Sequence, residues 1–210
     1  MISNFDSAIQ DLRKIGVESF DIFTKDELTF LTDENYRIGK FNDKLAGHLK
    51  KEFQLKWPKE FEDRLKQGIT SSEVLLDYLR TIKVNTDDTY LSLGSLWINY
   101  QAKHEFNPIH NHSGALSFII FIQIPYDLTA EENMFDATLD ETSTSKLQFI
   151  TTHHLGGISA TTVPVDQSYE NKLLMFPSQL RHQVYPFFTS NEYRITVSGN
   201  FFYDINQKVE

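Results

Sequence analysis

Two histidines one residue apart, His110 and His112 in the stretch NPIHNHSGALSFIIF (107–121), lead straight into an apolar run. In an extended strand alternate side chains share a face, so both imidazoles point to one side and Asn111 to the other. Two neutral imidazoles converging on one point make part of a metal site, and a third ligand has to come from another strand. The stretch LLMFPSQLRHQVYPF supplies it: His182 follows a Pro-Ser turn after an apolar strand. The sequence contains no cysteine, which excludes thiolates and leaves His, Asp and Glu as the only candidate ligands. The remaining histidines, His48, His104, His153 and His154, stand in no such pattern and read as ordinary polar residues.

A second group lies in EYRITVSGNFF. In a strand, Arg194, Thr196 and Ser198 share one face, and Ile195, Val197 and Gly199 the other. An inward polar face led by arginine requires an anion. The planar guanidinium fork matches a carboxylate with two hydrogen bonds, and a neighbouring hydroxyl completes the cradle. The plainer alternative is an edge strand whose polar face meets solvent.

The elements that must position these residues change character near residue 85. Before it come helical patterns: DSAIQDLRKIG, with Asp6 or Ser7 as cap and Gly16 as stop; TKDELTFLTDENYRIGKFNDKLAGHLKKEF; WPKEFEDRLKQGI; and SSEVLLDYLRTI, capped by Ser71 or Ser72. After it come β-branched and aromatic runs parted by Pro, Gly, Asn and Asp: TYLSLGSLWINYQ, ALSFIIFIQIP, SKLQFITTH, ISATTVPV, NKLLMFPS, HQVYPFF and YRITVSGNFFYD. No helical pattern intervenes between them, so they predict an antiparallel sandwich or barrel with helices packed outside. DATLDETSTSK (136–146) reads as a surface loop.

A chain of 210 residues is long enough for one domain with a full core and short for two. The predicted division is a single domain over 1–210, with a mostly helical part over 1–85 packed on a β core over 86–205. With 29 acidic against 20 basic residues the net charge is -9, and only Lys50, Lys51 and Lys56 cluster. Duplex nucleic acid is therefore not an expected partner. Apolar runs such as Leu116–Ile122 fall well short of the ~20 residues of a membrane span, and MISNFDSAIQ lacks a basic segment followed by an apolar one. A soluble, cytoplasmic protein is the expectation.

Taken together, HNH, FPSQLRHQV and YRITVS resemble the Fe(II)/2-oxoglutarate-dependent dioxygenases, whose double-stranded β-helix carries a His-x-Asp or His-x-Glu, a distal His, and then an Arg or Lys for the cosubstrate's far carboxylate. The chain is most similar to the prolyl-hydroxylase-like oxygenases of bacterial and phage genomes, in which a Trp-x-Asn precedes a His-x-His and a Phe-Pro-Ser precedes the distal His. Trp97, Asn99 and Phe176–Ser178 match those positions. The resemblance covers roughly residues 88–203. It implies a jelly-roll, cupin-like barrel with flanking helices that binds Fe(II) through His110, His112 and His182. It also implies a 2-oxoglutarate site formed by Arg194, Thr196 and Ser198 with Asn99 and Tyr100. The implied reaction uses O2 and 2-oxoglutarate to hydroxylate a further substrate, releasing succinate and CO2.

One departure bears on the chemistry. His112 stands where the family carries Asp or Glu, so three neutral imidazoles would leave Fe(II) its full double charge, balanced by the dianionic cosubstrate. A second register is open, in which His112-Ser113-Gly114 is a His-x-Gly and only two histidines bind. Two other functions are also open. One is a cupin-type metalloenzyme that does not use 2-oxoglutarate, although Ala115–Ser117 stand where such a cupin carries Glu. The other is a non-catalytic β-sandwich, a binding or structural module whose histidines hold nothing.

Overall fold

The computed structural model describes residues 4–41, 46–82, 91–135, 142–152 and 155–203. Two antiparallel sheets form its frame. The core strands are β4 (Leu91–Gln101), β5 (Asn107–His110), β6 (Leu116–Gln123), β7 (Leu147–Thr152), β8 (Ile158–Val163), β9 (Leu173–Pro177), β10 (Arg181–Val184) and β11 (Arg194–Tyr203). Strands β9, β6, β11 and β4 lie side by side in the larger sheet, and β5, β10, β7 and β8 in the smaller. The chain thus passes back and forth between the sheets, which is the double-stranded β-helix, or jelly roll.

The faces of the larger sheet follow strand alternation. Leu96, Ile98 and Tyr100 of β4, Phe118 and Ile120 of β6 and Val197 and Phe201 of β11 pack in one cluster. Helices α2 (Lys59–Ser71) and α3 (Glu73–Thr81) cover that cluster with Phe61, Leu65, Ile69, Leu75 and Leu79. The opposite faces, with Phe121, Phe149, Leu174 and Phe176, form a second cluster between the sheets. Helix α1 (Asn4–Lys14) contributes Leu12 to it, begins before either predicted cap, and ends where Gly16 takes φ +83°. The predicted Ser72 cap forms, its side chain accepting from the Leu75 amide.

The segment predicted to be helical over 24–53 is not. It holds 3-10 turns at Asp26–Leu31 and Glu34–Tyr36, then β2 (Arg37–Lys40) and β3 (Glu52–Leu55). Strand β3 pairs with β4, Glu52 facing Asn99 and Phe53 facing Ile98, so hydrogen bonding to an existing sheet edge overrides local helix preference. With β1 (Glu18–Phe20) on the far edge, the first 85 residues extend the larger sheet as well as covering it. A short helix, α4 (Leu128–Glu132), lies in the crossing from β6 to β7, and residues 136–141 of the predicted loop lie outside the described residues. Among the described residues no helix is long and apolar enough to cross a membrane.

Candidate active site

The three predicted histidines meet. His110 ends β5 and faces His182 of β10 as its register partner, with ring centroids 4.3 Å apart. His112 lies two residues past the strand end. It is held there by its amide, which donates to Ser178 O at 2.8 Å, and by its carbonyl, which accepts from Gln179 Nε2 at 3.0 Å. Its ring lies 5.0 Å from His110 and 5.1 Å from His182. One nitrogen from each imidazole lies within 4.8 Å of the others.

Local hydrogen bonds settle which nitrogens are available. His110 Nδ1 lies 2.7 Å from Pro108 O and His182 Nδ1 lies 3.0 Å from Leu180 O. A carbonyl only accepts, so each Nδ1 carries the proton and each Nε2 keeps its lone pair. This arrangement orients metal-binding histidines. Burial lowers the basicity of all three. His110 is pushed down, His112 is pushed down to about 4, with a smaller contribution from a charge on His110, and His182 is pushed well below the ordinary imidazole range. Near neutral pH the cluster is therefore in the unprotonated form that metals bind. Three imidazoles suit Fe(II) among other divalent ions, and among the described residues no carboxylate joins their ligand atoms.

Gly114, the third residue of the alternative His-x-Gly pattern, serves the backbone. It adopts φ +110°, and a Cβ there would lie 2.6 Å from Phe201 O. Its identity follows from this close approach, and it is not among the residues lining the cavity.

A cavity of about 200 Å³ runs between the sheets from the histidines to Arg194, lined on the way by Trp97, Asn99, Thr196 and Ser198. Asn99 Nδ2 donates to Thr196 Oγ1 at 3.2 Å. Arg194 is buried at 2% exposure. Its donors reach Gln101 Oε1, Tyr126 OH, Ser145 O and Tyr185 O, and among the described residues it makes no ion pair. The charge suits an anionic ligand, while the donors are engaged by neutral oxygens.

Tyr100 does not join this group. Asn99 and Tyr100 are neighbours in β4, so they face opposite sides of the sheet. Tyr100 packs with the helical layer, and its hydroxyl accepts from Arg37 Nη2 at 2.8 Å. The hydroxyl beside Arg194 is that of Tyr126, 3.0 Å from Nη1. Gln101 and Tyr126 are the site residues that sequence reading misses. For Gln101 the signal was strand parity with Trp97 and Asn99; for Tyr126, in a turn before α4, no sequence signal exists. Of the other histidines, His48 stacks on Phe106 and His104 meets Phe188 edge to face, neither joining the cluster, and His153 and His154 lie outside the described residues.

The site is thus a jelly-roll cavity with three converging imidazoles toward one end and a buried arginine toward the other. Residues 95–200, just over half the chain, match the family model described as "Putative 2OG-Fe(II) oxygenase", and the chain belongs to that family. It is accordingly an oxygenase whose metal is Fe(II) and whose cosubstrates are 2-oxoglutarate and O2. Among solved structures it is similar to a prolyl-4-hydroxylase from Pseudomonas putida, at 13% identity and TM-score 0.49, covering 94% of this chain and 98% of that one. It is also similar to HygX from Streptomyces hygroscopicus with nickel and 2-oxoglutarate bound, at 9% identity and TM-score 0.47, covering 97% and 89%. A prolyl hydroxylase from Trichoplax adhaerens, in complex with a hypoxia inducible factor peptide fragment, shares 12% identity with TM-score 0.47 over 93% and 87%. No curated protein sequence matches the chain.

Proposed function

We propose that His110, His112 and His182 hold the Fe(II), that Arg194 with Thr196, Asn99 and Ser198 receives 2-oxoglutarate, and that the reaction is hydroxylation of a further substrate. The observation that carries the metal assignment is the convergence of three ligand nitrogens within 4.8 Å, two of them on rings whose other nitrogen is tied to a backbone carbonyl. Bound there, Fe(II) with O2 and 2-oxoglutarate supplies the oxidation, with succinate and CO2 as coproducts.

The chain's own residues orient and exclude. His112 is turned toward its partners by the bonds between its backbone and the 178–179 turn, and its ring packs 5.6 Å from that of Trp97. Phe176 packs edge to face against His182, the rings 5.0 Å apart. Arg194 provides a fixed positive charge at the closed end. That charge and the metal's favour an anionic ligand in a cavity whose lining also includes Glu52.

Metal content and 2-oxoglutarate turnover test this together. Replacing one of three ligands should cost more than the roughly 10–100-fold lost when an outer partner of a ligand is removed, so His182→Ala and His110→Ala should each be isolated largely without iron. His112→Asp restores the family's usual carboxylate and should keep metal and some conversion of 2-oxoglutarate to succinate. A His110→Ala protein with full iron and turnover would instead establish the two-histidine register.

A further inference from the structure

The donors of Arg194 carry one more step. A guanidinium has five N–H groups, and here they make five hydrogen bonds. Nε and Nη2 both donate to Gln101 Oε1, at 3.0 and 2.6 Å. Nη1 donates to Tyr126 OH at 3.0 Å and Ser145 O at 2.6 Å, and Nη2 donates again to Tyr185 O at 3.0 Å. Every acceptor is neutral, and none of the five donors is spare. A carboxylate can therefore take two parallel bonds only by replacing an acceptor already in place.

The five bonds differ in how readily they can be given up. Ser145 O and Tyr185 O belong to the backbone and move only with the chain. Tyr126 is fully packed, its ring 5.2 Å from that of Phe187. Gln101 is a side chain on β4, next in strand parity to Asn99, and it lines the cavity. Its oxygen sits on the Nε/Nη2 edge, one of the edges from which a carboxylate makes a bidentate pair. Its amide nitrogen donates to Glu105 O at 2.5 Å, which holds the oxygen in that place.

Resting on the assignment of Arg194 as the anchor proposed above, we propose that Gln101 is a stand-in for the distal carboxylate of 2-oxoglutarate. It fills the guanidinium fork in the free protein, so that a buried cation is never left with empty donors, and it yields the fork when the dianion enters. Hydrogen bonds to a charged oxygen are roughly twice as strong as those to a neutral one. A carboxylate therefore displaces Gln101, whereas an amide or ester at the same end of the ligand offers only what Gln101 already provides and is rejected. Gln101 thus sets the threshold that a distal group must exceed to take the fork, and acts on the cosubstrate through Arg194, as a positioning residue.

Calorimetric titration of the anaerobic Fe(II) protein with 2-oxoglutarate, and with its distal monoamide, tests this. Gln101→Met keeps volume but removes the acceptor; it should bind 2-oxoglutarate about 30-fold tighter, the equivalent of two ordinary hydrogen bonds no longer broken. The monoamide should tighten by a similar factor, because the cost of displacing Gln101 is common to both ligands. Gln101→Glu places a permanent carboxylate on the fork at nearly unchanged size, and should weaken binding by on the order of 100-fold. An independent readout is the Arg194 Nε–H proton resonance in isotopically labelled protein. It should shift when 2-oxoglutarate is added to the unaltered protein and stay in place in Gln101→Glu. Weaker binding in Gln101→Met would show that Gln101 supports the guanidinium instead of competing for it, and would overturn the proposal, as would unaltered affinity in Gln101→Glu. Should Gln101→Glu fail to fold, the methionine variant alone decides by the sign of its change. Loss of the Arg194 assignment itself would appear separately, as an Arg194→Ala protein that binds 2-oxoglutarate as well as the unaltered one.

Discussion

The two ends of the cavity solve opposite problems. At one end, His110 and His182 each commit one ring nitrogen to a carbonyl within their own strand segment and leave the other open. At the other end, Arg194 commits every donor it has. The difference is one of cost. A neutral imidazole forgoes little by leaving a lone pair unfilled, whereas a buried cation with unfilled donors pays heavily in desolvation. The histidine end can thus leave its lone pairs open, while the arginine end has its donors filled by the protein itself.

Arg194 offers the sharpest way to break this contrast. Arg194→Ala removes the buried charge and strands its acceptors, and should weaken 2-oxoglutarate binding by roughly 2–5 kcal/mol, read by anaerobic titration of the Fe(II) protein. Arg194→Lys keeps the charge but cannot fill four acceptors with three donors or form a fork, and should fall between. Unchanged affinity in the alanine variant would favour a barrel enzyme that does not use 2-oxoglutarate.

The histidine end is probed by acid. Burial favours neutral imidazole in the folded state, so its stabilising contribution is complete above the unfolded value near ~6.5 and is lost as pH falls below it. For His112 the window runs from there down to about 4, and a shift of that size corresponds to on the order of 3 kcal/mol. The metal-free protein should therefore lose thermal stability between these pH values, and His112→Asn should flatten the slope. An equally steep slope in that variant would place the acid sensitivity elsewhere.

Tyr100→Phe is the smallest test. It removes the bond from Arg37 on the helical side of the sheet, and should cost about 1 kcal/mol of stability with 2-oxoglutarate affinity unchanged. Reduced affinity would mean that the two faces of β4 communicate.

The sequence displayed the barrel because seven of its strands lie in β-branched or aromatic runs bounded by turn residues, and it displayed the convergence of the three histidines because their spacing survives any modest change of register. What it hid was of two kinds. Strands β1, β2 and β3 are three or four residues long and exist only because a sheet edge is there to pair with, a tertiary fact that local pattern does not encode. The anion end was half legible. Arg194, Thr196 and Ser198 share a face as their alternation predicts, and Asn99 joins them, but placing Tyr100 beside Asn99 ignored the parity that puts Gln101 there instead. Tyr126 and the carbonyl of Ser145 arrive from irregular chain between β6 and β7, where no periodicity exists to be read.

The pairing of His110 with His182 has a bearing on how the chain holds together. Strand β5 is an edge of the smaller sheet, joined to one core strand only, and Asn111 meets Gln179 across a separation of 68 positions in the chain. On the metal assignment proposed above, an ion gripped by both strands would act as a clip that closes this long loop, and since it would bind only the assembled form it would add its binding free energy to the folded state. Iron loading should slow amide hydrogen exchange along β5 and β10 first, making the cofactor a fastener for an edge strand.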